Sequence, residues 1–372
     1  MSVAVVLVSA GKGTRLGANQ PKAAVRVGGK TLLEHALAVI SQFNPDQLVV
    51  VAPEELLAEF EAITSAHFAD FVVVAGGQTR QQSVQNGLAK VTTDLVLVHD
   101  AARAFAPKQV FDLVHASLSD AVSVVPAIQL SDTVKRVSGD WVQQTLDRSE
   151  LRGIQTPQGF RVAELRDALQ RASADFTDEA GLLESLGHKT LVVQGDEHSF
   201  KLTTQADLDR ANALFGEHRT GIGVDAHKFD SQGELVLGCL TWPEYPKLEG
   251  HSDGDSVAHA IVDALLSAAG LGDIGTNFGV DRLEFKGASG ELFIAETLRL
   301  ISTAGFLPVN VSVQIVGDKP KVGPRRLELQ QRLSSLVGAP VSVLATTTDG
   351  LGFLADSKGV AAVATALVRV AG

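Results

Sequence analysis

Three histidines and several carboxylates stand at metal-ligand spacing in two short stretches, Asp225-Ala-His227 and His251-Ser-Asp-Gly-Asp255-Ser-Val-Ala-His259. Asp225 and His227 are two residues apart at the end of the apolar Gly221-Ile-Gly-Val224, so a strand would send both side chains from one face toward one ion. Asp255, His259 and Asp263 fall at i, i+4, i+8 among Val257, Ala258, Ile261, Val262, Leu265 and Leu266, which read as the apolar side of a helix ending at Gly270. Two histidines and one carboxylate with a fourth position open are the ligand set of a catalytic zinc site; a structural site is more often closed by four ligands rich in cysteine. The chain has one cysteine, Cys239. Either histidine alone reads more readily as a hydrogen-bonded core residue, and it is the combined spacing that favours a metal.

Near the N-terminus an apolar run, Val3 to Val8, breaks into Ser9-Ala-Gly11-Lys-Gly13-Thr-Arg15-Leu-Gly17 and then Pro21-Lys22. A strand followed by glycines brings backbone N–H groups close to an anion, and Arg15 and Lys22 add positive charge where a polyphosphate would lie. The pattern G-x-x-x-x-G-K-[ST] is absent and G-x-G-x-x-G is missed by one residue, so neither a Walker loop nor a dinucleotide fingerprint is present. A plain structural turn is the alternative, and Lys22 behind a proline tilts the reading toward phosphate. His99-Asp100-Ala-Ala-Arg103 follows another apolar run, Leu95–Val98. Asp100 there suits either a hard cation such as Mg²⁺ or the N-cap of the next segment.

The elements that must position these groups are legible in outline. Over the first 215 residues, β-rich runs at Val3–Val8, Gln47–Ala52, Phe71–Val74, Leu95–Val98 and Ala121–Val125 alternate with helical patterns at Thr31–Phe43, Glu54–Ala66 and Arg80–Lys90. That alternation predicts a parallel, doubly wound, Rossmann-like α/β sheet, with ligands at the carboxyl ends of its strands. Residues 130–148 interrupt the rhythm with two β-like segments about a Ser138-Gly139-Asp140 turn, a protruding hairpin that carries Thr133 and Trp141 and ends near Arg148. Phe200-Lys201-Leu202 offers one more cation.

The expected boundary lies around Gly216–Thr220, giving domains at 1–216 and 220–372. The second reads as a smaller α/β sandwich on a mixed sheet. Its expected strands are Thr220–Val224, Leu235–Leu240, Val309–Val316 and Val341–Thr347, with helices at Ser256–Ala269, Glu291–Ala304, Arg325–Leu336 and Val360–Val370. A length of 372 residues accommodates two such cores. A net charge of −11 and a pI near 5.4 argue against nucleic acid or an anionic membrane as a general partner, so an anionic ligand must be held by local cations. One cysteine excludes an internal disulfide framework, and the absence of a signal segment or an apolar run of about 18 residues predicts a cytoplasmic protein.

The motifs resemble two enzyme families of the non-mevalonate isoprenoid pathway. Residues 1–215 resemble 2-C-methyl-D-erythritol 4-phosphate cytidylyltransferase in the Gly-rich loop, Pro21-Lys22, Gly76-Gly77 with Ser83, His99-Asp100-Ala-Ala-Arg103 and Thr156-Pro157-Gln158. Residues 220–372 resemble 2-C-methyl-D-erythritol 2,4-cyclodiphosphate synthase in Asp225-x-His227, His251-Ser252-Asp-Gly-Asp255, Leu271-Gly-Asp273-Ile-Gly275 and Ala345-Thr346-Thr347-Thr-Asp349-Gly-Leu-Gly-Phe353. The chain looks like the natural fusion of the two.

The first resemblance implies that methylerythritol 4-phosphate attacks the α-phosphorus of CTP and expels pyrophosphate, with Mg²⁺ or Mn²⁺. It implies that Arg15 and Lys22 stabilise the transition state, that Gly11, Gly13, Gly77, Ser83, Asp100, Arg103 and Thr156 contact substrate, and that Thr133, Arg148 and Lys201 receive methylerythritol phosphate. In that family the hairpin reaches into a neighbouring subunit. The second resemblance implies that the 2-phosphate of 4-CDP-methylerythritol 2-phosphate attacks its own β-phosphate and releases CMP. Zn²⁺ would be held by Asp225, His227 and His259, and a second divalent cation by Asp349, where a glutamate is common. His251, Ser252 and Asp255 would surround the methylerythritol, and Thr346 and Thr347 the diphosphate. Asp273, Gly275, Lys321 and Phe353 would contact the nucleotide, in a homotrimer with sites between subunits; pairing of the N-terminal domains would extend the trimer to a hexamer. Two other readings are a non-catalytic scaffolding half, and a sugar-phosphate nucleotidyltransferase in place of the cytidylyltransferase.

Overall fold

Runs of valine and leucine buried on both faces belong to central parallel strands. Three strands of the first sheet are of this kind, β1 (Val3–Val8), β2 (Gln47–Ala52) and β4 (Leu95–Asp100), and half-buried β3 (Val72–Ala75) lies at the edge; all four run parallel in the order β4-β1-β2-β3, with Val6 opposite both Val49 and Val98. The computed structural model describes residues 1–11, 13, 20–250, 252–279, 285, 287–351 and 358–371, and the chain divides into two units, Met1–Leu214 and Phe215–Gly372.

Beyond β4 the first unit adds β5 (Ser123–Gln129), an exposed antiparallel ribbon of β6 (Lys135–Ser138) and β7 (Trp141–Thr145), then β8 (Arg152–Ile154), β9 (Gln158–Arg161) and β10 (Thr190–Gln194). β9 lies antiparallel between β4 and β5, β8 antiparallel to β5, and β10 parallel to it. The eight-stranded sheet is therefore mixed, against the all-parallel expectation. The cause is the reversal after β5: the chain returns through the β6–β7 ribbon with no helical crossover, and β8 and β9, three residues apart, both run antiparallel to β5.

Seven helices accompany this sheet: α1 (Leu32–Phe43), α2 (Leu57–Ser65), α3 (Arg80–Leu88), α4 (Lys108–Ser117), α5 (Val162–Arg171), α6 (Glu179–Ser185) and α7 (Gln205–Phe215). Alternate residues of β1 feed opposite faces. Val3, Val5 and Leu7 pack with α1 and α4, while Ala4 and Val6 pack with α3, α5 and α6, so the sheet is wound on both sides.

The second unit holds a five-stranded mixed sheet in the order β12-β11-β15-β13-β14, from β11 (His218–Val236), β12 (Thr241–Leu248), β13 (Phe306–Val316), β14 (Val341–Thr346) and β15 (Gly359–Val370). α8 (Ser256–Ala269), α9 (Ile274–Phe278), α10 (Gly290–Thr303) and α11 (Arg326–Val337) complete it. Two expectations fail here. Residues 360–370, expected as a helix, are the central strand β15, paired antiparallel to both β11 and β13. Alanine favours helix, but Val360, Ala362, Ala364, Ala366 and Val368 are buried at a period of two, and the small side chains lie in the core that α8 also fills. Residues 235–240 are not one strand: β11 ends at Val236, and a hairpin turn follows with positive φ at Gly238 (64°) and Cys239 (57°), leading into β12.

Gly221 and Gly223 explain how closely α8 approaches β11. A Cβ on Gly221 would lie 2.2 Å from the Ala264 carbonyl oxygen, and one on Gly223 2.1 Å from that of Ala260. The same strand face carries Asp225 and His227 two and four residues beyond Gly223. Among the described residues no helix is long and apolar enough to cross a membrane. Because backbone cannot retreat as a side chain can, Gly223→Ala is expected to destabilise the second unit by about 1–3 kcal/mol. Hydrogen exchange of α8 peptides checks this, and unchanged protection would show that the helix is free to shift.

Candidate functional sites

The carboxyl ends of β1 and β4 open into a cleft of about 310 Å³ in the first unit, lined among others by Gly11, Gly13, Lys22, Gly77, Ser83, Asp100 and Lys201. The Gly-rich loop closes on itself through the Lys22 amide, which donates to the Gly11 carbonyl at 3.0 Å, while Gly13 takes φ of 68°, a conformation that suits glycine. Gly76 lets the neighbouring loop come close, since a Cβ there would sit 2.4 Å from that of Ala10. Ser83 accepts from the Gly77 amide and donates to the Thr79 carbonyl, both at 3.0 Å, so its hydroxyl fixes the loop. Arg15 lies outside the described residues.

Asp100 is 7% exposed and holds two cations, Arg80 Nε at 3.1 Å on Oδ1 and Lys201 Nζ at 2.8 Å on Oδ2. Burial pushes this carboxyl up, but Arg80 and Lys201 outweigh that and hold it well below the usual carboxylate range. The N-cap reading of Asp100 fails, because its side chain makes no cap hydrogen bond, and a divalent ion there would share the carboxylate with Arg80 and Lys201. Thr156 is buried, its hydroxyl hydrogen-bonded with His99 Nδ1 at 3.0 Å and accepting from the Asp100 amide at 3.1 Å, so it sets the end of β4. Arg103 donates to the Ser199 and Ile154 carbonyls, at 2.7 and 3.1 Å, and thereby braces the segment that carries Lys201.

In the second unit β11 and α8 bring Asp225, His227 and His259 together, with one ligand atom from each within 4.8 Å of the others. Both histidines are held from behind: His227 Nδ1 donates to the Glu249 carbonyl at 2.6 Å, and His259 Nε2 pairs with Ser252 Oγ at 3.1 Å. The inner nitrogens, His227 Nε2 and His259 Nδ1, lie 2.8 and 3.0 Å from Asp225 Oδ2. His227 Nε2 is buried at that short distance yet lacks hydrogen-bond geometry. Such back-side bonds orient imidazole lone pairs toward a metal, so the residues fit one. Burial raises the Asp225 carboxyl, but the two imidazoles beside it prevail and lower it.

A profile described as 2-C-methyl-D-erythritol 4-phosphate cytidylyltransferase (IspD) matches residues 3–217, and one described as the YgbB family matches residues 218–369. The bifunctional enzyme IspD/IspF of Clavibacter michiganensis subsp. michiganensis is 49% identical over 98% of this chain and 94% of its own length. The chain belongs to the bifunctional IspD/IspF family. Among solved structures, the bifunctional IspDF from Campylobacter jejuni is similar across 100% of this chain and 99% of that chain, at 28% identity and a TM-score of 0.51. The 4-diphosphocytidyl-2C-methyl-D-erythritol synthase from Anaerococcus prevotii is similar across 57% of this chain and 95% of its own, at 28% identity and a TM-score of 0.53.

In this IspD/IspF chain other expected site residues stand apart from the two centres. Arg148 donates to the Ser131 carbonyl and lines a separate groove of about 630 Å³ at the base of the β6–β7 ribbon, and exposed Thr133 precedes β6. Asp273 caps α9 by accepting from the Thr276 amide at 2.7 Å, and Gly275 lies within that helix. Lys321, Thr346, Thr347 and Asp349 are exposed, Thr347 donating to Asp349 at 2.8 Å. His251 and Phe353 lie outside the described residues. Asp255 is 0% exposed, and its oxygens accept from the amides of Gly238, Cys239, Val257 and Ala258 at 2.6–3.1 Å, so it ties the β11–β12 turn to the start of α8. Asp263, spaced like a ligand, instead accepts from the Ile274 amide at 2.7 Å. Sequence reasoning missed Arg80, whose place directly behind Gly76-Gly77 at a helix start was the available signal.

His99 carries a pH signature of the first unit. Burial pushes its pKa down from 6.5 to about 4. The unfolded chain therefore takes the proton first, so this contribution is complete above pH 6.5 and is lost as pH falls toward 4, a loss of roughly 3 kcal/mol. Urea unfolding read by hydrogen exchange of β4 peptides should show that slope in the native chain and a flatter one in His99→Gln. Equal slopes would assign it to another group.

Proposed function

We infer a two-site enzyme of the non-mevalonate isoprenoid pathway. Its first unit transfers CMP from CTP to 2-C-methyl-D-erythritol 4-phosphate and releases pyrophosphate. Its second cyclises 4-CDP-methylerythritol 2-phosphate to the 2,4-cyclodiphosphate and releases CMP. The observation that carries the reading is the convergence of Asp225, His227 and His259, with the inner nitrogen of each imidazole turned to one Asp225 oxygen, in the half of the chain that matches the YgbB family.

In the first unit the acceptor oxygen is already ionised, so no general base is needed and the task is to hold two anions together and neutralise the transition state. Gly11 and Gly13 offer backbone N–H groups and Lys22 its charge to the triphosphate, with Arg15 as a second cation, and Gly77 and Ser83 shape the nucleoside side. Lys201 receives the acceptor phosphate. Thr133 and Arg148, on their separate groove, serve the cleft of a neighbouring copy. Mg²⁺ or Mn²⁺ accompanies the triphosphate.

In the second unit Asp225, His227 and His259 hold Zn²⁺, the ion that suits two imidazoles and one carboxylate. When bound, that ion supplies a Lewis acid for a β-phosphate oxygen. His251 and Ser252 orient the methylerythritol, Thr346 and Thr347 hold the diphosphate, and Asp273, Gly275, Lys321 and Phe353 hold the nucleotide. Asp349 offers an oxygen to a second divalent cation. Distribution of these groups over separate surfaces supports a homotrimer with sites between subunits, extended to a hexamer by pairing of N-terminal units.

Two outcomes test this. His259→Ala should lose stoichiometric zinc and cyclisation while cytidylyl transfer stays near normal, and Lys22→Ala should abolish pyrophosphate release while cyclisation stays near normal. Zinc retained in His259→Ala, measured by metal analysis, would refute the ligand assignment.

A third test concerns the link between the reactions. The product of the first unit lacks the 2-phosphate that the second needs as nucleophile, and the chain has no Walker loop or kinase signature. With CTP, methylerythritol phosphate, Mg²⁺ and Zn²⁺ the purified chain should accumulate CDP-methylerythritol and pyrophosphate; CMP and cyclic diphosphate should follow only when a separate kinase and ATP are added. A cyclic diphosphate signal in ³¹P NMR before that addition would mean a hidden phosphotransfer or a wrong substrate.

A further inference from the structure

One carboxylate beneath the cytidylyltransferase cleft has no part in the chemistry above. Glu179, the first residue of α6, is 2% exposed, and both its oxygens accept from Arg80 Nη1, at 2.8 and 2.9 Å. Arg80 opens α3, lines the cleft and turns its Nε to Asp100 Oδ1 at 3.1 Å. Asp100 Oδ2 in turn accepts from Lys201 Nζ at 2.8 Å. Two carboxylates and two cations therefore form one chain, Glu179–Arg80–Asp100–Lys201, with charges that cancel. The side chains run from 3% exposed at Glu179 to 40% at Lys201, so the chain leads from the interior to the cleft.

We propose that Glu179 is a positioning residue of cytidylyl transfer. By holding Arg80 it limits that guanidinium to one oxygen of Asp100 and leaves the other to aim Lys201 at the acceptor phosphate. The proposal rests on the reading that Lys201 receives that phosphate. A guanidinium free to turn pairs with a carboxylate through two parallel N–H bonds. Without Glu179, Arg80 would take both Asp100 oxygens and draw Oδ2 away from Lys201. With it, Nη1 is committed elsewhere and only Nε faces Asp100.

Local structure does not call for this glutamate. The start of α6 is capped by Asp178, which accepts from the Gly181 amide at 3.1 Å. Burial pushes the Glu179 carboxyl up even with Arg80 beside it, so the position is an expensive one for a charge. The nucleoside loop is held independently by Ser83 and by Thr79, which accepts from the Gln82 amide at 3.2 Å. Loss of Glu179 is therefore expected to act on the acceptor and not on CTP. When the acceptor arrives, Lys201 exchanges a carboxylate for a phosphate, and the Arg80–Glu179 pair keeps Asp100 compensated in place.

The test is steady-state kinetics of the full-length chain. Glu179→Gln, nearly isosteric but uncharged, should lower kcat/KM for methylerythritol phosphate by about 10- to 100-fold, mainly through KM, with KM for CTP changed by less than about threefold. Glu179→Asp should restore part of the loss. In an Asp100→Asn background, Glu179→Gln should cause no further loss, since the pathway through Asp100 is already cut. Arg80→Lys, which keeps the charge and removes the fork, should give the same kinetic signature should Glu179→Gln fold poorly by circular dichroism. Wild-type kinetics in Glu179→Gln alongside a failing Lys201→Ala would overturn the proposal alone, as would a loss confined to kcat or one undiminished in the Asp100→Asn background. Unchanged acceptor KM in Lys201→Ala would instead remove the reading beneath it.

Discussion

A carboxylate taken out of water must find its partners inside the protein, and each site is organised around one that has. In the second unit it is Asp255, which gathers two amides from the β11–β12 turn and two from the first turn of α8. Hydrogen bonds to a charged acceptor contribute about 1.5–3 kcal/mol each, against a desolvation cost of several kcal/mol. Burial still leaves this carboxyl above its ordinary value, so desolvation outweighs the four amides. What Asp255 contributes is geometry: the start of α8 is tied to a turn, and His259, one helical turn on, meets Asp225 at a set height. Gly221 and Gly223 then let the helix lie down on β11, and Asp263 ties its far half to the start of α9.

The first unit solves the same problem with different partners. Asp100 is compensated by Arg80 and Lys201, side-chain cations, where Asp255 has backbone amides. Amides belonging to secondary structure cannot leave, whereas an ammonium on a flexible stem can exchange one anion for another. A scaffold benefits from the first arrangement. A cleft that must admit a triphosphate and a phosphomonoester benefits from the second, because the substrate-free site holds its cations in readiness without repelling one another apart. The two aspartates look alike in sequence, each close behind a histidine and beside an apolar run, and burial alone does not separate them.

That similarity marks the limit of what was legible in the residues. The buried runs that became β1, β2 and β4, the helix over 256–269 and the Asp225–His227–His259 cluster could all be read, because periodicity and ligand spacing report directly on which side chains share a face. The roles of Asp255, Thr156 and Arg103 could not, since a motif residue has the same identity whether it faces ligand or backbone. Residues 360–370 were misread because their alanines answer to α8 packed beside them, a tertiary demand that overrides propensity. Glu179 gave no sign of its partnership with Arg80, 99 positions away.

Each unit also leaves apolar surface uncovered near site residues that stand apart. The β6–β7 ribbon, with Thr133 and Arg148 near its base, exposes Val137, Trp141 and Val142 at 58%, 81% and 60%. On β11, Ile222 and Val224, at 60% and 59%, lie on the sheet face opposite the one that carries Asp225 and His227. Contiguous exposed apolar groups of this size ordinarily mark a contact surface. In the proposed assembly, covering the ribbon would carry Thr133 and Arg148 toward another copy's Lys201, and covering the open face of β11 would stack second units around their metal sites. The hydrophobic effect would then complete the sites, while charge only selects what enters them. Mutations on these apolar surfaces should consequently weaken substrate binding without touching a single group that contacts substrate.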